Sequence, residues 1–348
     1  MKIRKIVAAA FASLLLFQIS CSRDEDPILP EPKGSYENGI FISNEGNFGV
    51  PNASVSFIPR DLSAIENNIY ATNNGGTALG DVLQTIGISG ENAYFVLNNS
   101  NKVTIANRFT MKKKAEITSQ LSSPRFIAFA KEFIYVTNDT YGGDKYVSIY
   151  NKTDNSFVKT IPMIDAAENI VEAGGNIFVQ NASFGFGNKI SYIDTSSNTL
   201  KSEITVPQGQ INKIVSSNSS VYAIATGTTD SYIYQLSSGG TITKTIVLTG
   251  ILEANNVQVS NNQIYFSSGN EIWTMDMKNP VLPTSPLITV TANSFSTLYG
   301  FNVVDGKIFT SDAKGFTAAS AITVYKTDGS LLKNFSAGRS ANGFFLNQ

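Results

Sequence analysis

Phe133-Ile134-Tyr135-Val136-Thr137-Asn138 is an apolar, β-branched and aromatic run with polar turns on either side, and phrases of this kind return seven times along the chain. They open at Ile40, Tyr94, Ile134, Ile177, Val221, Ile264 and Ile308, and the second residue is aromatic each time: Phe41, Phe95, Tyr135, Phe178, Tyr222, Tyr265 and Phe309. Successive spacings are 54, 40, 43, 44, 43 and 44 residues. A period of about 40 to 45 residues with several short strands per unit is the pattern of a β-propeller.

Each unit reads alike beyond its opening phrase. A second alternating run follows, as in Val55 to Ile58, Val147 to Tyr150 or Ile322 to Tyr325, and a turn such as Asp154-Asn155 or Asp328-Gly329 leads to a third, as in Phe157 to Ile161 or Leu331 to Phe335. A further strand precedes each phrase across a tight turn, for example Ile170 to Glu172 before Gly174-Gly175. Four antiparallel strands per unit result, so the fold class is all-β, a seven-bladed β-propeller. Ile40 lacks such a preceding strand, while the chain ends on an unassigned Gly343-Phe344-Phe345-Leu346. A C-terminal strand placed in blade one closes the ring and removes the open edge.

The recurring aromatic has two readings, ligand stacking or packing between blades. Recurrence at one strand position in every unit is what packing requires, and burying such a side chain stabilises by roughly 1.5 to 3 kcal/mol. Composition agrees with an all-β, turn-rich protein: 348 residues, 42% apolar, 15% charged and 27 glycines.

Histidine is absent. That excludes Ser-His-Asp and Cys-His nucleophilic machinery and His-ligated zinc. Of the arginines Arg4, Arg23, Arg60, Arg108, Arg125 and Arg339, only Arg125 and Arg339 fall where a channel mouth is expected, so an arginine triad of the sialidase kind is not supported. Glu45, Asp81, Asp144, Asp165 and Glu168 sit in loops or at strand ends, with no spacing that singles out a catalytic pair, and solvated or turn-capping acids are the simpler reading. No catalytic residue, metal or cofactor is expected. The Lys112-Lys113-Lys114 cluster falls at a hairpin and reads as a solvated turn, so nucleic acid is not an expected partner.

The N-terminus is a targeting segment, excluded from the fold. Lys2, Arg4 and Lys5 precede the apolar stretch Ile6 to Phe17, and Ile19-Ser20 leads to Cys21, the single cysteine. This resembles the lipobox of bacterial lipoproteins, with Gln18 where leucine is usual. Residues 1–20 are then a lipoprotein signal peptide, Cys21 the lipid acceptor, 21–38 an acidic and proline-rich tether and 39–348 the propeller. The cluster Asp24-Glu25-Asp26 resembles the surface-export signal of Bacteroidetes outer-membrane lipoproteins, which implies a lipid-anchored protein at the cell surface. A solvated, flexible tether is compatible with it.

Loops between the second and third strands open on the same face as the connections between blades. They carry Asn47-Phe48-Gly49, Tyr141-Gly142-Gly143, Phe184-Gly185-Phe186-Gly187 and Gly315-Phe316. Large aromatics beside glycine at loop tips mark an interaction surface, unless they fold back onto neighbouring loops. Near the start of the innermost strands stand Gln84, Arg125, Asn169, Lys213, Asn256 and Asn342, which either orient a polar ligand or line a water-filled channel.

A family resemblance is carried by particular residues. Pro124-Arg125 with Phe133 to Asn138 looks like the YVTN propeller repeat. The stretch Phe41-Ile42-Ser43-Asn44-Glu45-Gly46-Asn47-Phe48-Gly49, with Asn52-Ala53-Ser54, Leu79-Gly80-Asp81-Val82 and Val96 to Val103, is similar to the opening blades of Bacteroidetes surface lipoproteins. That group includes cobalamin-binding propellers seated over a TonB-dependent vitamin B12 transporter. With only Trp273 and no Gly-His pair, WD40 is not supported. The resemblance implies capture of a nutrient, cobalamin or another large planar molecule, and delivery to a TonB-dependent transporter. The candidate ligand-binding residues are Asn47, Phe48, Asp81, Gln84, Arg125, Tyr141, Asn169, Phe184, Phe186, Lys213, Asn256, Phe316 and Asn342. A protein-interaction or glycan-binding surface module is the alternative, and an enzyme using carboxylates or Lys213 a third.

Overall fold

The computed structural model describes residues 33–292 and 295–348. The expected signal peptide, Cys21 and the tether as far as residue 32 lie outside the described residues. Seven antiparallel sheets form the blades. In blade two the order from the axis outward is Leu83–Ser89, Asn92–Leu97, Lys102–Asn107 and Lys113–Ile117. Blades three to seven repeat it, with innermost strands Pro124–Ala130, Ile170–Ala173, Gln210–Ser217, Ala254–Ser260 and Gly300–Val304. Each innermost strand touches the next around the ring, blade seven included.

Blade one draws on both ends of the chain. Ala341–Asn347 is its innermost strand and pairs with Gly39–Asn44, which pairs in turn with Ser54–Pro59. Closure by the C-terminus is therefore as the sequence implies, over a strand longer than its Gly343 to Leu346 core. Its outermost position is reduced to a single bridge between Phe57 and Glu66, and in blade six that strand is only Ile288–Thr289.

The inner hairpins explain much of the glycine and asparagine content. Gly174-Gly175, Asn218-Ser219, Asn261-Asn262 and Asp305-Gly306 each hold positive φ at both turn positions. This is the type I′ geometry that matches the twist of the flanking strands. The seven recurring aromatics are all at most 3% exposed, so they pack the spaces between blades. The longer first period arises from residues 60–82, where a short helix, Ile69–Asn73, buries Ile69 and Tyr70.

Packing extends ahead of residue 39. Tyr36 is buried in the core and donates its hydroxyl to Glu66 at 2.7 Å, so the end of the expected tether is part of the packed fold. The Lys112-Lys113-Lys114 cluster is exposed but not a plain turn: Lys113 opens the outermost strand of blade two and pairs with Glu116.

Candidate functional site

Exposed apolar side chains are concentrated on one face. Among the described residues, seven large ones are more than three-quarters exposed: Phe48, Tyr141, Ile164, Phe184, Phe186, Phe295 and Val281. All but Val281 belong to second-to-third-strand or inter-blade segments, the loops of a single face. Phe184 and Gly185 form the two-residue turn between Asn176–Ser183 and Phe186–Asp194, both at positive φ (49° and 78°) as in the inner hairpins. Phe316 differs from the other tips. It is half-buried and folds back against Tyr299 and Phe295, with ring centroids 4.9 and 5.7 Å away.

Beneath these loops the innermost strands share one irregularity. In blades one, two, three, five and six the pairing slips by a bulge near the loop face, at Asn342, Gln84, Arg125-Phe126, Asn212 and Asn255. An extra residue at a bulge re-aims its side chain, which is why bulges recur beside sites. Two register positions from the residue opposite the buried aromatic, a tier forms around the mouth. It holds Gly343, Asn169, Lys213, Asn256 and Gly300, with the bulged Gln84 and Arg125-Phe126 completing it.

Arg125 is the centre of a polar chain. Its Nε donates to Glu168 Oε2 at 3.0 Å and an Nη to Gln84 Oε1 at 2.9 Å. Asn342 Nδ2 donates to the Gln84 carbonyl at 3.0 Å and to Glu45 Oε1 at 2.7 Å. The other oxygen of Glu45 accepts from the Tyr299 hydroxyl at 2.8 Å. The chain thus runs from the segment before blade seven to the one before blade four. Nearby, Arg339 donates to Asn47 Oδ1 at 2.8 Å, and Asp81 Oδ2 accepts from the Gly49 amide at 2.9 Å and from Asn99. On the other side of the ring, Asn256 donates to the Phe301 carbonyl at 3.3 Å and accepts from Gln258 at 3.1 Å.

Burial sets the electrostatics. It pushes the carboxyls of Glu45 and Glu168 upward, opposed in Glu45 by the Tyr299 and Asn342 hydrogen bonds and in Glu168 by the charge of Arg125. Burial also raises the Tyr299 hydroxyl, with the Glu45 charge adding to it. Lys213 moves the other way, pushed down to about 8 by burial alone. It is half-buried on its innermost strand.

Next to this tier a cleft of about 670 Å³ opens between blades four, five and six. Gly185, Gln208, Gln210, Asn212, Thr228, Tyr232, Glu253 and Asn255 line it. A second cleft, about 560 Å³, lies at the edge of blade three around Asp144, Lys145 and Tyr146 and shares no residue with the mouth.

Of the expected site residues, Gln84, Arg125 and Asn342 are brought into one network, and Asn169, Lys213 and Asn256 occupy the same tier. Phe48, Tyr141, Phe184 and Phe186 stand free at the loop tips above, whereas Phe316 is a packing residue and Asp81 a buried brace for the Phe48 loop. Reading Glu45 and Glu168 as solvated acids is overturned for Glu168, which is 7% exposed and ion-paired, and Glu45 is engaged through both oxygens. Tyr299, Asn212 and Asn255 carried no signal in the sequence, because only the bulges and non-local contacts bring them to the mouth.

Fold and mouth together define a closed seven-bladed propeller, an architecture compatible with a surface binding module. The chain belongs to a family described as a domain of unknown function, DUF5074, which matches residues 38–337. No curated protein matches it. Among solved structures it is similar to a quinonprotein alcohol dehydrogenase-like protein from Bacteroides thetaiotaomicron, with TM-score 0.73 and 16% identity over 91% of this chain and 80% of that one. It is also similar to hydrazine synthase of Kuenenia stuttgartiensis, with TM-score 0.60 and 15% identity over 74% and 87% of the two chains. Virginiamycin B lyase from Staphylococcus aureus gives 0.55 and 11% over 72% and 82%. At such identities the likeness is one of fold, and function resides in the loops and mouth.

Proposed function

We propose that this protein is a non-catalytic capture module, a lipid-anchored lipoprotein of the outer-membrane surface that seats a large nutrient on its loop face and passes it to a TonB-dependent transporter. The observation that carries the reading is the segregation of exposed aromatic and aliphatic tips to one face above a polar mouth. Clustered exposed apolar groups with a few convergent polar groups beneath them suit a broad ligand with apolar faces and peripheral hydrogen-bonding groups. The likeness of the opening blades to Bacteroidetes YVTN-repeat lipoproteins supports a corrinoid as the first ligand to test. A binding role without chemistry is favoured because Arg125 neutralises Glu168 and both oxygens of Glu45 are held by donors.

Calorimetry with cobalamin on the wild type and on the Phe184→Ala/Phe186→Ala double variant is the test. Micromolar binding that weakens at least about tenfold in the variant, a loss of about 1.4 kcal/mol, is the expected result. No heat with any corrinoid would remove the ligand assignment, and wild-type binding untouched by the double change would move the site to another face. The anchor is tested separately. Cys21→Ser should shift the protein from the membrane fraction to the soluble one, and retention in the membrane would end the lipoprotein reading.

A further inference from the structure

Lys213 stands apart from every other charged group at the mouth. Arg125 is paired with Glu168, Glu45 is held by Tyr299 and Asn342, and Arg339 is hydrogen-bonded to Asn47. The ammonium of Lys213 makes no hydrogen bond and no ion pair among the described residues. Its neighbours on the tier, Asn169 and Asn256, bring amides, and across the ring Gly343 and Gly300 bring no side chain. A half-buried ammonium without a counter-charge is unfavourable, and a group of opposite sign arriving from outside relieves it.

The surroundings supply a route to it. The bulged Asn212 and Asn255 line the 670 Å³ cleft, Asn212 donating to Thr226 at 2.7 Å and to the Ala254 carbonyl at 3.0 Å and Asn255 accepting from Ser267 at 2.6 Å, while the next residues on the same two strands, Lys213 and Asn256, stand on the tier. The cleft lining and the tier are thus adjacent in sequence on two neighbouring blades. The loop bearing Phe184 and Phe186 borders the cleft, since Gly185 lines it and the Gly187 amide donates to the lining residue Gln210 at 2.7 Å. Glu253 is the one acid in the lining, and it is exposed.

We propose that Lys213 is an anion-binding point, taking a carboxylate or phosphate group of a ligand whose body fills the cleft between blades four and six. The inference rests on the capture reading of the loop face and deepens it by giving the ligand a negative group. An ammonium acts as a point charge toward either oxyanion, so both sources satisfy the same chemistry.

Lysine acylation of the full-length protein, read by peptide mass spectrometry, tests it with inorganic phosphate, with acetate and with chloride at matched ionic strength. Near pH 7 the lowered pKa gives Lys213 a neutral fraction on the order of a hundredfold above an ordinary lysine, so it should label early. An anion at about ten times its dissociation constant should slow that labelling about tenfold and leave other lysines unchanged. Protection by phosphate alone assigns a phosphate-bearing ligand, and by acetate alone a carboxylate-bearing one. Absence of protection by both, or equal protection by chloride, overturns the proposal. A second readout is the thermal stabilisation given by the protecting anion, which should vanish in Lys213→Met and persist in Lys213→Arg; persistence in Lys213→Met also overturns it. The probes are bare anions, so this result and the corrinoid calorimetry succeed or fail independently.

Discussion

The two sides of the channel mouth share one strand register and use it differently. From blade seven round to blade four, Tyr299, Glu45, Asn342, Gln84, Arg125 and Glu168 are joined in an unbroken series of hydrogen bonds that includes one ion pair. Across blades five and six the same kind of bulge occurs and its asparagines are bonded locally to Thr226, the Ala254 carbonyl and Ser267, yet they line an open cleft and the tier ends on a lysine with no partner among the described residues. A fully satisfied polar network fixes geometry, whereas a buried polar group left without a partner asks for an explanation. The connected side holds the ring in shape, and the open side is where another molecule can complete the set.

The largest effect comes from removing the strand that starts the connected side. Deleting 341–348 takes away Asn342 and the apolar Phe344 and Phe345, and unpairs Gly39–Asn44 along one edge. A loss of at least about 5 kcal/mol is expected, since a single buried phenylalanine truncated to alanine already costs about 3 to 5. An unchanged melting temperature would show that the C-terminal strand does not close the ring.

Arg125→Met is a narrower break. It strands the buried Glu168 carboxylate and removes the donor to Gln84. Orphaning one member of a buried pair costs about 3 to 5 kcal/mol, and water in the mouth should bring this to about 2 to 3. Urea unfolding of the two proteins measures it, and a loss below about half a kcal/mol would mean that the network is decorative.

The smallest change sharpens the contrast by pH. Folding makes Lys213 easier to deprotonate, so between about pH 8 and the ordinary lysine value the unfolded chain holds a proton that the folded one has lost. This group therefore adds stability as the pH rises through that window and withdraws it as the pH falls toward 8. Glu45 and Glu168, both raised, act in the opposite sense at acid pH, each giving up stability as the pH rises through its folded value. Melting curves from pH 7.5 to 10.5 should show an alkaline gain in the wild type that Lys213→Met lacks; identical curves would place Lys213 in water.

The scaffold was legible because propeller packing writes itself as a period. One aromatic per unit at a fixed strand position and turn residues that accept positive φ, such as Asn261-Asn262, are local signals. The loop-tip aromatics were legible for the same reason, four of the five standing free as read. The mouth was legible only in its ingredients. Arg125 and Asn342 can be named from their place at the start of inner strands, but their partners Glu168 and Glu45 lie 43 residues from Arg125 and 297 from Asn342. The bulges that aim these side chains leave no mark in residue type: Gln84 and Asn212 sit in ordinary alternating strands. Phe316 was misplaced because a loop tip with an aromatic beside glycine reads the same whether it reaches outward or, as here, folds onto Tyr299.

The chain's path through blade one has a mechanical side. Gly39 enters a strand held on both edges, by Ser54–Pro59 on one and Ala341–Asn347 on the other, over six paired positions each. Tension arriving through the N-terminal segment pulls along that strand and loads both ladders in shear at once, so their hydrogen bonds resist together instead of unzipping one by one. Once the Tyr36 contacts ahead of it give way, a pull from that side meets the strand that two ladders hold together.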